Sequence, residues 1–92
     1  MLRAFVANYA AGEPTLQLPP EGDSLAPLRQ ACHSLRGACG AVGATALVDE
    51  LQALEARLAD PAQAATAGAA ARACDEHLQA FVRRVDAALR DP

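Results

Sequence analysis

Leu25, Leu28, Cys32, Leu35, Cys39 and Val42 recur at spacings of 3, 4, 3, 4 and 3 residues. A period near 3.5 puts all six on one stripe of an α-helix, and such a stripe must be buried against other helices. A β-strand, whose side chains alternate with a period of two, cannot use this pattern. A second series, Leu47, Leu51, Leu54 and Leu58, repeats at 4, 3 and 4. The composition agrees: the chain is 52% hydrophobic but has no Trp, one Tyr and two Phe. Its apolar mass is therefore Ala and Leu, which favours helix over sheet. Ninety-two residues make one domain, 1–92, with a modest core and no large internal ligand cavity expected. The apolar content excludes disorder, and no uncharged apolar run of about 18 residues is present to span a membrane.

The remaining punctuation divides the chain into four helical segments. Leu2, Phe5, Val6 and Tyr9 have helical spacing through about Ala11, and Gly12 with Pro14 predicts a kink or break there. Pro19-Pro20 ends the segment, Glu21-Gly22-Asp23 reads as a turn, and Asp23 or Ser24 is the expected N-cap of the second helix. Gly43 is expected to stop that helix. In the third helix Asp49 and Glu50 suit the positive end of the dipole, and Arg57 the negative end. Asp60-Pro61 reads as the start of a fourth helix, expected to run unbroken through the alanine-rich stretch and Gly68 into Cys74, Leu78, Phe81, Val85 and Leu89. Short loops between long helices imply antiparallel neighbours, so the expected fold is all-α, an up-and-down antiparallel four-helix bundle.

Charge and cysteine usage narrow the function. Eight basic residues, all Arg, against eleven acidic ones give a net charge of −3, which argues against nucleic acid as partner. Met1-Leu2-Arg3 leads into an amphipathic segment with no signal-peptide pattern, and no direct membrane contact is expected. Cys32, Cys39 and Cys74 form no Cys-x-x-Cys pair and read as buried reduced thiols of a cytoplasmic protein. No metal site is expected, because Cys32 and Cys39 lie on the apolar stripe while His33 does not.

His33 is the residue that carries chemistry. At about 100° per residue it points roughly 130° away from the apolar stripe, so it is not a core histidine. Ala26, Arg29, Gln30, Arg36, Gly37 and Gly40 share its face. An exposed helix face would ordinarily carry Glu, Lys and Gln rather than two glycines, each costing about 1 kcal/mol of helix stability. The glycines either allow close helix packing or keep the space beside His33 clear. His77 lies on the fourth helix beside Asp75 and Glu76 and reads as a solvated or partly covered surface residue. A neutral imidazole, with an ordinary pKa of about 6.5, offers one nucleophilic nitrogen at pH 7. No carboxylate or oxyanion site for acyl transfer is evident near His33 in the sequence. A phosphoryl group fits better. It carries about two negative charges, which Arg36 and Arg29 can balance. Gln30 and Ser34 are candidates to orient the ring.

The run Cys32-His33-Ser34-Leu35-Arg36-Gly37-Ala38-Cys39-Gly40-Ala41-Val42-Gly43 resembles the histidine-containing phosphotransfer (HPt) motif of bacterial phosphorelays. That motif has a small residue, His, any residue, Leu, Lys or Arg, Gly, and another Gly six residues later, then a Leu-rich helix ending in Leu-Glu. Leu54-Glu55 stands where that ending falls. Leu2-Arg3-Ala4-Phe5, Tyr9 and Gly22-Asp23 also resemble the family, so the likeness covers nearly the whole chain. The resemblance implies that His33 is the phosphoacceptor, Arg36 balances the phosphoryl charge and Gly37 provides steric clearance. Arg36 stands where the family more often has Lys.

The function implied is that of a phosphorelay intermediate without kinase activity of its own. It accepts a phosphoryl group from the aspartate of one receiver domain and passes it to another. Ala26, Arg29, Gln30 and Gly40 are the expected partner-binding residues. No cofactor of its own is expected, and Mg2+ is expected on the partner receiver during transfer. Kinase and receiver domains of the same polypeptide, as in a hybrid sensor kinase at the membrane, are further candidate partners. The alternative is a helical interaction or dimerisation module that keeps the fold but carries no phosphoryl group.

Overall fold

The computed structural model describes residues 2–90, and all regular structure among them is helical. Five α-helices follow one another: α1 (Leu2–Tyr9), α2 (Leu25–Ala41), α3 (Thr45–Ala59), α4 (Pro61–Ala64) and α5 (Gly68–Arg90). Two 3-10 turns, Pro14–Gln17 and Gly22–Ser24, lie between α1 and α2. The molecule is elongated, 48 × 19 × 17 Å. Leu28, Cys32, Leu35 and Cys39 of α2 and Leu47, Leu51, Leu54 and Leu58 of α3 are buried, as their spacing requires. They meet Cys74, Leu78 and Val82 of α5 in one core, while Leu25 and Val42 are half-buried at the ends of the α2 stripe.

α1 ends at Tyr9, two residues before the expected limit. The break is complete. Gly12 adopts φ of +79°, a left-handed conformation that favours glycine, and its N–H donates to the Tyr9 carbonyl at 2.9 Å. Glu13 then accepts from the Thr15 N–H and opens the 3-10 turn with Pro14 in its first position. This turn drives Leu16, fully buried, into the core. Phe5 of α1 stacks edge-on against Phe81 of α5, with ring centroids 5.9 Å apart.

Side-chain capping by Asp23 or Ser24 does not occur. Ser24 takes the N-cap position of α2 but makes no side-chain cap hydrogen bond, because the chain already turns helically through Gly22–Ser24. Pro27 occupies the first turn, where its missing N–H leaves no helical bond unmade. The other end matches expectation. Gly43, at φ of +76°, donates to the Gly40 carbonyl at 3.2 Å, and Ala44 donates to the Cys39 carbonyl at 2.9 Å. This pair of bonds is the Schellman arrangement that closes a helix and reverses the chain. α3 therefore folds back along α2.

The fourth predicted helix is two helices. Asp60 caps α4 through its carboxylate, which accepts from the Ala62 N–H at 2.9 Å, but α4 ends at Ala64. Thr66 turns the chain, its hydroxyl donating to the Gln63 carbonyl, and Arg57 holds the turn by donating to the Thr66 carbonyl. Gly68 is the first residue of α5 rather than an interior one. A Cβ there would lie 3.3 Å from Arg72 Nη1 and 3.4 Å from Pro20 Cδ. Ala64, Ala67 and Ala71 are buried but Ala65 and Ala69 are exposed, and the turn at Thr66 interrupts the continuous helix that alanine propensity predicts.

Candidate functional site

The stripe that buries Cys32 and Leu35 turns His33 outward, and its side chain is 67% exposed. One residue past the buried Leu54, Glu55 emerges on the same flank of the α2–α3 hairpin. Its carboxylate faces both functional side chains of α2. Arg36 Nη1 donates to Glu55 Oε2 at 2.8 Å, and His33 Nδ1 lies 3.4 Å from Glu55 Oε1. The first contact is a full charge-assisted hydrogen bond; the second is an approach slightly beyond hydrogen-bond length. Glu55 and Arg36 are partly covered, with side chains 21% and 31% exposed, so their pairing is firmer than a fully solvated one. The Nδ1 side of the ring thus faces the carboxylate.

Sequence reasoning named Gln30 and Ser34 as ring-orienting candidates. The structure pairs them with each other instead, Gln30 Nε2 donating to Ser34 Oγ at 3.3 Å. Glu55 is instead the group that faces the ring, and as a neighbour of His33 it was missed. The available signal was its position: His33 and Glu55 are roughly equidistant from the Gly43 turn, so a helical hairpin sets them opposite one another. The carboxylate that seemed absent near His33 is thus supplied by α3.

Gly37 is exposed, and a Cβ built there meets nothing within 4 Å. Close helix packing therefore does not explain this glycine, which leaves open space one turn from His33. At Gly40 a Cβ would meet only Val48 Cγ2, at 3.9 Å, an ordinary contact. Beyond His33, toward the N-terminus of α2, a groove of about 630 Å³ runs between α2 and α3. Ala26, Arg29, Gln30 and His33 form its α2 wall, and Gln52, Glu55, Ala56 and Ala59 its α3 wall. Three of the four expected partner-binding residues are thus brought together beside the histidine, while Gly40 lies outside the groove on the far side of Gly37.

The other chemistry-bearing residues are elsewhere. His77, on α5, is exposed and its Nδ1 lies 2.8 Å from Glu50 Oε2, an α3–α5 tie outside the His33 site. Its residue one turn on is Phe81, not glycine. Cys32, Cys39 and Cys74 are buried and unpaired; burial pushes the first two thiols up to about 11 and the third to about 12. They are held as neutral thiols and do not converge with His33 on any common point. No helix among the described residues is long and apolar enough to cross a membrane.

An outward imidazole with one nitrogen facing a carboxylate, a guanidinium on that same carboxylate and open space one turn away can accept and hold a phosphoryl group. The family comparison gives the same answer from the whole sequence. The Hpt domain family matches residues 1–88. No curated protein and no solved structure matches the chain. The match covers α1 to α4 and all but the last two residues of α5, with the outward His33, its arginine and its glycine inside it, and the chain belongs to the Hpt domain family, the phosphotransfer domains of His–Asp phosphorelays that interact with receiver domains.

Proposed function

We propose that this domain is a phosphorelay intermediate in which His33 Nε2 takes a phosphoryl group from a receiver aspartate and delivers it to a second receiver. The nucleophile's lone pair attacks phosphorus, the N–P bond forms, and the P–O bond to the aspartate breaks with its electron pair returning to that carboxylate. Nδ1 keeps its proton, directed at Glu55, which stabilises the positive charge that develops on the ring. Arg36 balances the phosphoryl charge. Gly37 leaves room for the incoming group and the donor backbone. The receiver supplies Mg2+ and the remaining catalytic groups, and the domain contributes no cofactor.

The observation that carries this reading is the open space over Gly37 beside an exposed His33. A glycine costing about 1 kcal/mol in an exposed helix face has no structural return there. Ala26, Arg29 and Gln30, with Gly40 at the other end, are the surface on which the receiver rests. The four longer helices, α1, α2, α3 and α5, make up an up-and-down bundle that holds this surface rigid. Receivers and kinases that act in the cytoplasm place the domain there, either alone or within a hybrid sensor kinase whose own receiver is one of its partners.

The test is direct transfer. Mixing with a phosphorylated receiver and Mg2+ should give an acid-labile, base-stable label on the domain, and adding a second, unlabelled receiver should drain it. His33→Gln should abolish the label and His77→Gln should leave it intact, with helix content unchanged in both. A label that persists in His33→Gln overturns the assignment. A wild-type domain that takes no label from any receiver is instead a helical interaction module.

A further inference from the structure

Arg36 already has an anionic partner before any phosphoryl group arrives. Its guanidinium is already engaged by Glu55 at 2.8 Å, and that same carboxylate faces the His33 ring at 3.4 Å. When a phosphoryl group arrives at Nε2, two anions compete for one cation. We propose that Glu55 is a positioning residue that sets how strongly His33 holds its phosphoryl group: Arg36 is handed from the Glu55 carboxylate to the phosphoryl oxygens on loading, and returned on unloading. This inference deepens the relay reading and rests on His33 as the acceptor.

The physical basis is the exchange of one ion pair for another. Loading forms contacts between Arg36 and the phosphoryl oxygens but breaks the Arg36–Glu55 pair, so only the difference stabilises the phosphohistidine. A carrier must release its cargo as readily as it takes it, and an arginine with no competing anion would hold the group more tightly. The long side chain of Arg36 allows the exchange without backbone motion, since it lies one turn from His33 on the same helix. Glu55 also keeps the Nδ1 proton in place in both states. The charged groups facing this space are Arg29 and Arg36 from α2 and Glu55 from α3; Gln30 and Gln52 beside them are neutral.

The hand-over can be read without a receiver. Phosphoramidate, a small P–N donor, transfers its phosphoryl group to histidine with loss of ammonia: the donor P–N bond breaks as the Nε2–P bond forms. The second ionisation of the loaded phosphoryl group is then followed by 31P NMR in the wild type, Glu55→Gln, Arg36→Ala and the double variant. The Gln amide oxygen can still accept from Nδ1–H but no longer attracts Arg36. Glu55→Gln should lower the phosphoryl pKa by about 0.5–1 unit, the effect of one newly available neighbouring charge, and Arg36→Ala should raise it. In the Arg36→Ala background the Glu55→Gln shift should shrink to a small fraction, because no cation remains to compete for. An equal or larger shift in that background means plain repulsion by Glu55 and overturns the hand-over. No shift in Glu55→Gln, or a wild-type domain that does not load at His33, overturns it as well. A loaded domain that shows the coupling but gives its phosphoryl group to no receiver leaves the hand-over standing and removes the relay reading.

Discussion

Gly37 and Arg36 divide the work around His33 in ways that separate on substitution. Because nothing lies within 4 Å of a Cβ at Gly37, Gly37→Ala should stabilise the fold by up to about 1 kcal/mol through helix propensity, read by thermal or urea unfolding. Gly37→Gln should keep the fold and cut transfer steeply, because the longer side chain fills the space that the donor needs. A destabilised Gly37→Ala with normal transfer would make the glycine structural after all. Arg36→Ala should slow transfer while leaving unfolding free energy within about 0.5 kcal/mol, as for a surface pair. Arg36→Lys should restore most of the rate, since a point charge one turn away still balances the phosphoryl group. Wild-type transfer by Arg36→Ala would remove its electrostatic role. All three residues were legible in the sequence, because their direction follows from helical angle alone. The pairing of Glu55 with two of them depends on how α3 registers against α2, which no single helix encodes.

The same contrast holds for whole elements. The stripes of α2 and α3 and the stop at Gly43 follow from spacing and from glycine's freedom at positive φ. The break between α4 and α5 does not, because alanine propensity predicts a continuous helix, whereas the chain turns at Thr66 through bonds to Gln63 and Arg57. Asp75 was also opaque: the sequence assigns it no role beyond neighbouring His77, yet it is 2% exposed. Its carboxylate accepts from the Glu13 N–H and the Gln17 side chain, both at 2.7 Å, and from Gln79 at 2.9 Å. It thereby ties the segment between α1 and α2 to α5 and seats Leu16 in the core. Gly12 passes so close to this carboxylate that a Cβ there would collide with it. Asp75→Ala should therefore cost about 1–2 kcal/mol in urea unfolding, since it leaves three partly buried donors without their acceptor, while phosphoryl transfer per folded molecule stays normal. A cost below about 0.5 kcal/mol would mean that the break after α1 is held by glycine and proline alone.

Over the whole molecule, the three buried thiols make stability depend on alkaline pH. Their folded pKa values, about 11 for Cys32 and Cys39 and about 12 for Cys74, lie above the ordinary value of 9.0 because burial disfavours the thiolate. The unfolded chain therefore loses these protons first. The stabilisation is fully present below about pH 9 and is lost progressively as pH rises toward 11–12. Urea midpoints should fall across that window, and replacing the three cysteines with Ala or Val should flatten the fall even where it lowers the midpoint itself. A wild-type midpoint that is level through pH 11 would contradict the burial account.

The proposal that His33 reacts through Nε2, with Nδ1 facing Glu55, makes a claim about a single atom. NMR of the domain labelled with 15N-histidine, after transfer from a phosphorylated receiver, reads that atom directly. The account predicts a one-bond coupling between phosphorus and Nε2 of His33, with a proton retained on Nδ1 and the His77 signals unchanged. Phosphorus on Nδ1 of His33, or on His77, would contradict it.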